Sequence, residues 1–185
     1  METNILIYIV AFAVAFMFVG LAYYIGNRYF IGFRLSNMEK KVTDYFTNEG
    51  YEWKKEDGVL NVKRQGINFR IFLRGEEGTR STMLWVQYAT KLEEDLSGVH
   101  WAGHTVLVNV LSDKHPSLNV SMNLDDHVLW LHYRADICSQ NDFAFHFNGA
   151  FNDMRSLMND YSEILPKLQV DFPLEKKKHN PIGFA

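Results

Sequence analysis

The stretch VHWAGHTVLVNVLSDKH, Val99 to His115, decides the fold. Read locally, Thr105-Val106-Leu107-Val108-Asn109-Val110-Leu111 is rich in β-branched residues, which favours a strand. Read at helical spacing, the same residues turn Ala102, Val106, Val110 and Leu111 to one side. Pro116 ends either element, because it has no backbone N–H to continue the ladder. A strand here would extend a run of strands, whereas a helix would separate two groups of them.

The flanking segments are plainer. Before it, Val59–Lys63, Ile67–Leu73 and Thr82–Tyr88 alternate apolar and polar residues. The turns Glu56-Asp57-Gly58 and Gln65-Gly66 and the loop Gly75-Glu76-Glu77-Gly78 set them apart, as in an antiparallel meander. After it, Leu118–Asn123 and His127–Tyr133 are two more strands around a two-residue turn at Asp125-Asp126, with Val128, Trp130 and His132 on one side.

Two helices enclose these strands. Ser36-Asn37-Met38-Glu39 has capping-box form, and Met38, Val42, Tyr45 and Phe46 share a face ahead of Gly50, which predicts a helix over 37–49. The last element starts near Ser139–Asp142 and carries Phe143, Phe147, Phe151, Met154, Met158, Tyr161 and Leu165 as one stripe. It is expected to stop at Pro166. Residues 168–185, with Lys176-Lys177-Lys178, Pro173 and Pro181, read as a mostly disordered tail whose lysines are solvated rather than lipid-bound.

Upstream, Ile5 to Ile25 is a run of 21 residues without a charge, including Ile5, Phe12, Val19 and Ile25. At ~1.5 Å per residue it covers a hydrocarbon core of ~30 Å. Its Ile, Leu, Val and Phe residues favour insertion by about 4–7 kcal/mol in sum. A cleavable signal fits less well: the start Met1-Glu2-Thr3-Asn4 is not basic and Tyr23–Arg28 is no cleavage site. Arg28, Arg34, Lys40 and Lys41 follow the run and no Lys or Arg precedes it. The positive-inside rule then predicts a single-pass inner-membrane protein with its C-terminal part in the cytoplasm, and Tyr23, Tyr24, Tyr29, Phe30 and Phe33 form the interfacial belt. The expected division is an anchor at 1–35, an α+β domain at 36–167 and a tail at 168–185.

With Val99–His115 helical, the order behind the anchor is α-β-β-β-α-β-β-α. That order resembles YbjN-like domains and the type III secretion chaperone-like fold. The features that carry the resemblance are Glu49-Gly50-Tyr51, Glu56-Asp57-Gly58, the Gly66 turn, Leu118–Ser121 after His115-Pro116, the Asp125-Asp126 hairpin and the Phe/Met helix. The resemblance covers about residues 37–166. It implies an antiparallel sheet with helices on one face, homodimers in many members, protein binding or regulation, and no catalytic residues. Val99–His115 is accordingly expected to be mainly helical, since tertiary context outweighs local propensity.

Charge and motifs exclude several functions. Residues 36–185 carry a net charge of −4, with no basic stripe in the sequence, which argues against nucleic acid. The lone Cys138 forms no internal disulfide, and nothing near it in sequence marks a nucleophile. His100 and His104 stand four apart and would share a helical face, as a metal-ligand pair does, but no third ligand accompanies them. Asp125-Asp126-His127 is turn chemistry before it is an acid–base cluster. His132, on the Trp130 face, is a packing residue. No phosphate loop or nucleophile elbow occurs, so no enzyme activity and no cofactor are expected. Phe145 lies off the main stripe of the last helix and is the candidate contact for a protein partner, in a membrane-tethered, non-enzymatic interaction domain. The alternative is a metal- or ligand-binding sensor built on His100 and His104.

Overall fold

The computed structural model describes residues 2–75, 81–92, 96 and 99–173, with side chains from residue 12 onward. Helix α1 runs unbroken from Glu2 to Asn48, about 70 Å. The capping box at Ser36 is therefore not a helix start: Ser36 is an exposed interior residue. A box signals a start only where the upstream chain is not helical, and here the apolar run already is. The boundary expected at 35/36 lies within the span of this helix. Its C-terminal end is as expected. Gly50 takes φ +70°, and Tyr51 N–H returns to the Phe46 carbonyl at 2.9 Å.

Six strands form one antiparallel sheet: β1 (Glu52–Glu56), β2 (Val59–Arg64), β3 (Ile67–Gly75), β4 (Thr82–Lys91), β5 (Asn119–Asn123) and β6 (Val128–Ile137), in the order β1-β2-β3-β4-β6-β5. The sequence reading missed β1. Its EWKKE side chains are all exposed, so it has no apolar alternation, as befits a charge-blunted edge strand. Asp57 and Gly58 both have positive φ and close a two-residue hairpin that demands a strand on either side. The β5–β6 connection, read as two residues, spans Leu124–His127; Asn123 Oδ1 accepts from the Asp125 N–H at 3.0 Å.

Val99–His115 is mainly helical: α2 covers Trp101–Lys114 and crosses from β4 to β5. Its buried face centres on Gly103, His104, Leu107 and Leu111, rotated from the expected one. Gly103 sets that rotation. A Cβ there would fall 2.5 Å from Val99 Cγ1 and 3.0 Å from Phe172 Cβ, so only glycine admits both neighbours.

Helix α3 (Gln140–Asp171) is capped by Ser139, whose Oγ accepts from the Asp142 N–H at 3.1 Å. It continues through Pro166 rather than stopping there. Packing holds the turn beyond the proline: Leu168 is buried, and the Phe172 carbonyl accepts from the His100 N–H at 2.7 Å. Residues 174–185, including Lys176–Lys178, lie outside the described residues.

The three described helices share one sheet face. Met38, Val42 and Phe46 of α1 and Phe143, Phe147, Phe151 and Met154 of α3 meet Leu60, Val62, Phe69, Ile71, Leu84, Val86, Leu129 and Leu131 in one core. Arg64 clamps the β2–β3 hairpin to α3, stacking at 4.1 Å on Phe151 and donating to Asn148 Oδ1 at 2.6 Å. The α+β class and the one-sided helix layer match the sequence expectation.

Candidate functional site

Strand alternation sends every second side chain to the face that no described helix covers. On β3, β4 and β6 the pairing registers line these residues into cross-strand rows. Arg74, Met83 and Asp136 form the first, and Phe72, Trp85 and Arg134 the second. Arg70, Gln87 and His132 form the third, and Ala89 and Trp130 stand in the fourth. The first row lies nearest the point where α1 meets the sheet, since a Cβ at Gly75 would come 2.6 Å from Ile31 Cγ2.

The aromatic groups touch in sequence. Phe72 and Trp85 have ring centroids 5.7 Å apart, Trp85 and His132 5.6 Å, and Trp130 and His132 stack at 6.2 Å. The Trp85 indole N–H donates to His132 Nδ1 at 3.2 Å. Indole can only donate, so His132 is neutral with its proton on Nε2. Burial holds its pKa below the ordinary imidazole value, and Arg134 adds to the effect. Two guanidiniums stack on this row, Arg134 at 4.3 Å over Trp85 and Arg70 at 5.4 Å over Phe72. Phe72, Leu73, Arg74, Met83, Trp85 and Arg134 line a depression at the end of the face nearest Gly75.

Other positions singled out in the sequence have structural work. His100 does not pair with His104 as a metal-ligand face: its Nδ1 accepts from the Ala102 N–H at 3.3 Å and caps α2. His104 turns inward, 5% exposed, against His127 at 5.1 Å between ring centroids. Among the described residues neither His104 nitrogen has a hydrogen-bond partner of good geometry. Burial lowers its pKa, with His127 and His100 adding to the effect and the Leu96 backbone opposing it. Among the described residues no three His, Cys, Asp or Glu side chains converge as metal ligands. Asp125 and Asp126 serve the β5–β6 turn, Asp126 accepting from Asn123 Nδ2 at 2.9 Å. Cys138 is exposed, and its N–H is held by Asp142 at 3.1 Å.

Phe145 stands 75% exposed on α3, off the buried stripe, with its own neighbour His146 as ring contact. In α1, Phe12, Val19 and Ile25 are 73%, 68% and 58% exposed, and the side chain of Ile5 lies outside the described residues. Among the described residues one helix, near the N-terminus, is long and apolar enough to cross a membrane, and none of its most apolar window is buried against the domain.

No family model matches the chain, and no curated protein matches it. A crystal structure of YbjN from E. coli, put forward as a transcription regulator, aligns with it at 8% identity and a TM-score of 0.46. The alignment covers 67% of this chain and 90% of that one. A likeness of that size assigns neither family nor activity.

The aromatic–arginine face is the feature the sequence reading passed over. Its signal is the alternation itself: Arg70-x-Phe72-x-Arg74, Met83-x-Trp85-x-Gln87 and Trp130-x-His132-x-Arg134 are the residues between the core positions.

Proposed function

We infer that this chain is a membrane-tethered interaction domain, held by a helix through residues 5–25, with its α+β part at the cytoplasmic membrane face. It works by binding a protein, a second copy of the chain included, rather than by catalysis. The observation that carries this reading is the one-sided sheet. Its helices cover one face, while the other presents half-buried Phe72, Met83, Trp85 and Trp130 among arginines. Large aromatics and arginine are the residues that dominate protein interfaces. Phe145 on α3 offers a second contact, separate from the core it adjoins.

The tether is supported by the exposed apolar half of α1 and by Arg28, Arg34, Lys40 and Lys41 just beyond the proposed span. Catalysis is the weaker reading because the polar residues that could have served it are engaged elsewhere: His100 in a cap, Asp125 and Asp126 in a turn, His132 on Trp85.

The test combines topology and contact. Cys138, the single thiol, reports sidedness: a membrane-impermeant maleimide should label it only after the membrane is opened. A photo-crosslinking amino acid at position 85 or 145 should form a covalent adduct with a protein in intact membranes. Labelling of Cys138 from outside overturns the orientation, and absence of an adduct from both positions overturns the interaction role.

A further inference from the structure

The ion pairs among the described residues belong to lysines and His115: Lys54 with Glu56, Lys55 with Glu39, Lys63 with Glu52, and Lys114 and His115 with Asp160. Among the described residues Arg70, Arg74 and Arg134 have no carboxylate within ion-pair distance, although residues 36–185 carry a net charge of −4. All three stand on the open sheet face, in the rows around Phe72, Met83 and Trp85. A guanidinium stacked on a ring keeps its in-plane N–H donors for a carboxylate fork, so Arg70 and Arg134 are preorganised for an anion.

The geometry points to an acidic, extended protein segment as the occupant of this face, with the pattern acid-x-apolar-x-acid. The inference rests on the interaction role proposed above and names the partner chemistry. Arg70 and Arg74 stand four residues apart on β3, about 13 Å, which is the spacing of two side chains on the same side of an extended chain. The residue midway between such acids projects onto Phe72, Met83 and Trp85, beside Arg134. Its apolar side chain fills the depression while its neighbours meet the guanidiniums.

Two other anions fit less well. A nucleic acid strand needs exposed ring faces on which bases stack. Here Arg134 occupies a face of Trp85, and Arg70 sits over Phe72. A bilayer approached from the α1 end meets the row that holds Asp136 as well as Arg74 first, and Arg70 lies two rows further away.

The experiment uses the full chain in phosphatidylcholine nanodiscs and a fluorescein-labelled peptide, Ser-Glu-Ser-Leu-Ser-Glu-Ser, read by anisotropy. Saturable binding is expected, weakening as salt rises. A peptide with Gln for both Glu should bind at least about tenfold more weakly, as should the R70Q/R74Q/R134Q chain toward the original peptide. Because the Gln peptide leaves the protein untouched, the comparison holds even if the triple variant folds poorly. Absence of saturable binding overturns the inference, as does equal binding of both peptides. Displacement by oligothymidylate, or capture by phosphatidylserine nanodiscs in place of the peptide, also overturns it in favour of those anions. A protein adduct from position 85 or 145 in membranes, together with no saturable binding of the Glu peptide, overturns this assignment while leaving the interaction role standing.

Discussion

Replacing Phe147 by alanine should unfold this domain under conditions the parent survives. The Phe147 ring is fully buried, with centroids 5.5 Å from Phe46, 5.6 Å from Phe143, 6.0 Å from Phe69 and 6.2 Å from Tyr51. Arg64 lies 5.6 Å from its centroid. Phe→Ala in a core costs about 3–5 kcal/mol, through lost transfer energy and the cavity left behind. The surrounding rings come from α1, β3 and α3 and cannot all collapse inward, so the cost belongs in the upper half of that range. For a domain of this size that lowers Tm by roughly 8–20 °C. Phe145→Ala removes the same ring from solvent and should change stability by less than about 0.5 kcal/mol. The assay is near-ultraviolet circular dichroism on heating the full chain in detergent, where the loss of ring packing is read apart from the far-ultraviolet helical signal that α1 dominates. Equal losses for the two variants would refute the reasoning, since one ring would then have to be both exposed and structural.

Three further outcomes follow from named contacts. Gly75→Ala should destabilise by about 1–3 kcal/mol, because its Cβ meets Ile31 Cγ2 at 2.6 Å, and pairing it with Ile31→Ala should recover much of that loss in a double-mutant cycle. His104 has a lowered folded pKa, so the unfolded chain binds the proton first; its contribution is complete above pH 6.5 and lost as pH falls below it. Urea midpoints between pH 7 and 5 should drop in the parent and drop less in His104→Phe. Ser139→Ala should cost about 0.5–2 kcal/mol by orphaning the Asp142 N–H, measurable as a lower urea midpoint with an unchanged slope.

Elements with one strong periodicity were legible in the sequence. The α3 stripe and the strands β2 to β6 follow from spacing, because burial on one side leaves an apolar residue at every second or every third to fourth position. Val99–His115 was legible only through the order of its neighbours. Its β-branched residues fit a strand, but the chain must cross from β4 to β5, and Leu107 and Leu111 find the core only as a helix. Beta-strand β1 was hidden because an edge exposed on both sides needs no apolar residue. Local punctuation misled twice: Ser36 looks like a start, but the chain before it is already helical, and Pro166 looks like a stop, but the helix continues on contacts made far away in sequence. The open face was not legible because a strand's apolar period marks only the core side, and Arg70, Trp85 and Arg134 stand at the alternate positions.

The unbroken course of α1 has a mechanical consequence. A flexible linker would let the domain sample a hemisphere around its tether. Here the same helix that carries Phe12 and Val19 also carries Met38, Val42 and Phe46 into the core, and Ile31 is wedged at Gly75. If residues 5–25 span a bilayer as proposed, the helix would act as a mast, its tilt fixing the angle at which the sheet stands above the lipid. Tilt answers to hydrophobic thickness, so a thinner membrane leans the mast and swings the arginine face through the same angle. Partner access would then be tuned by the lipid itself, without any change in the domain.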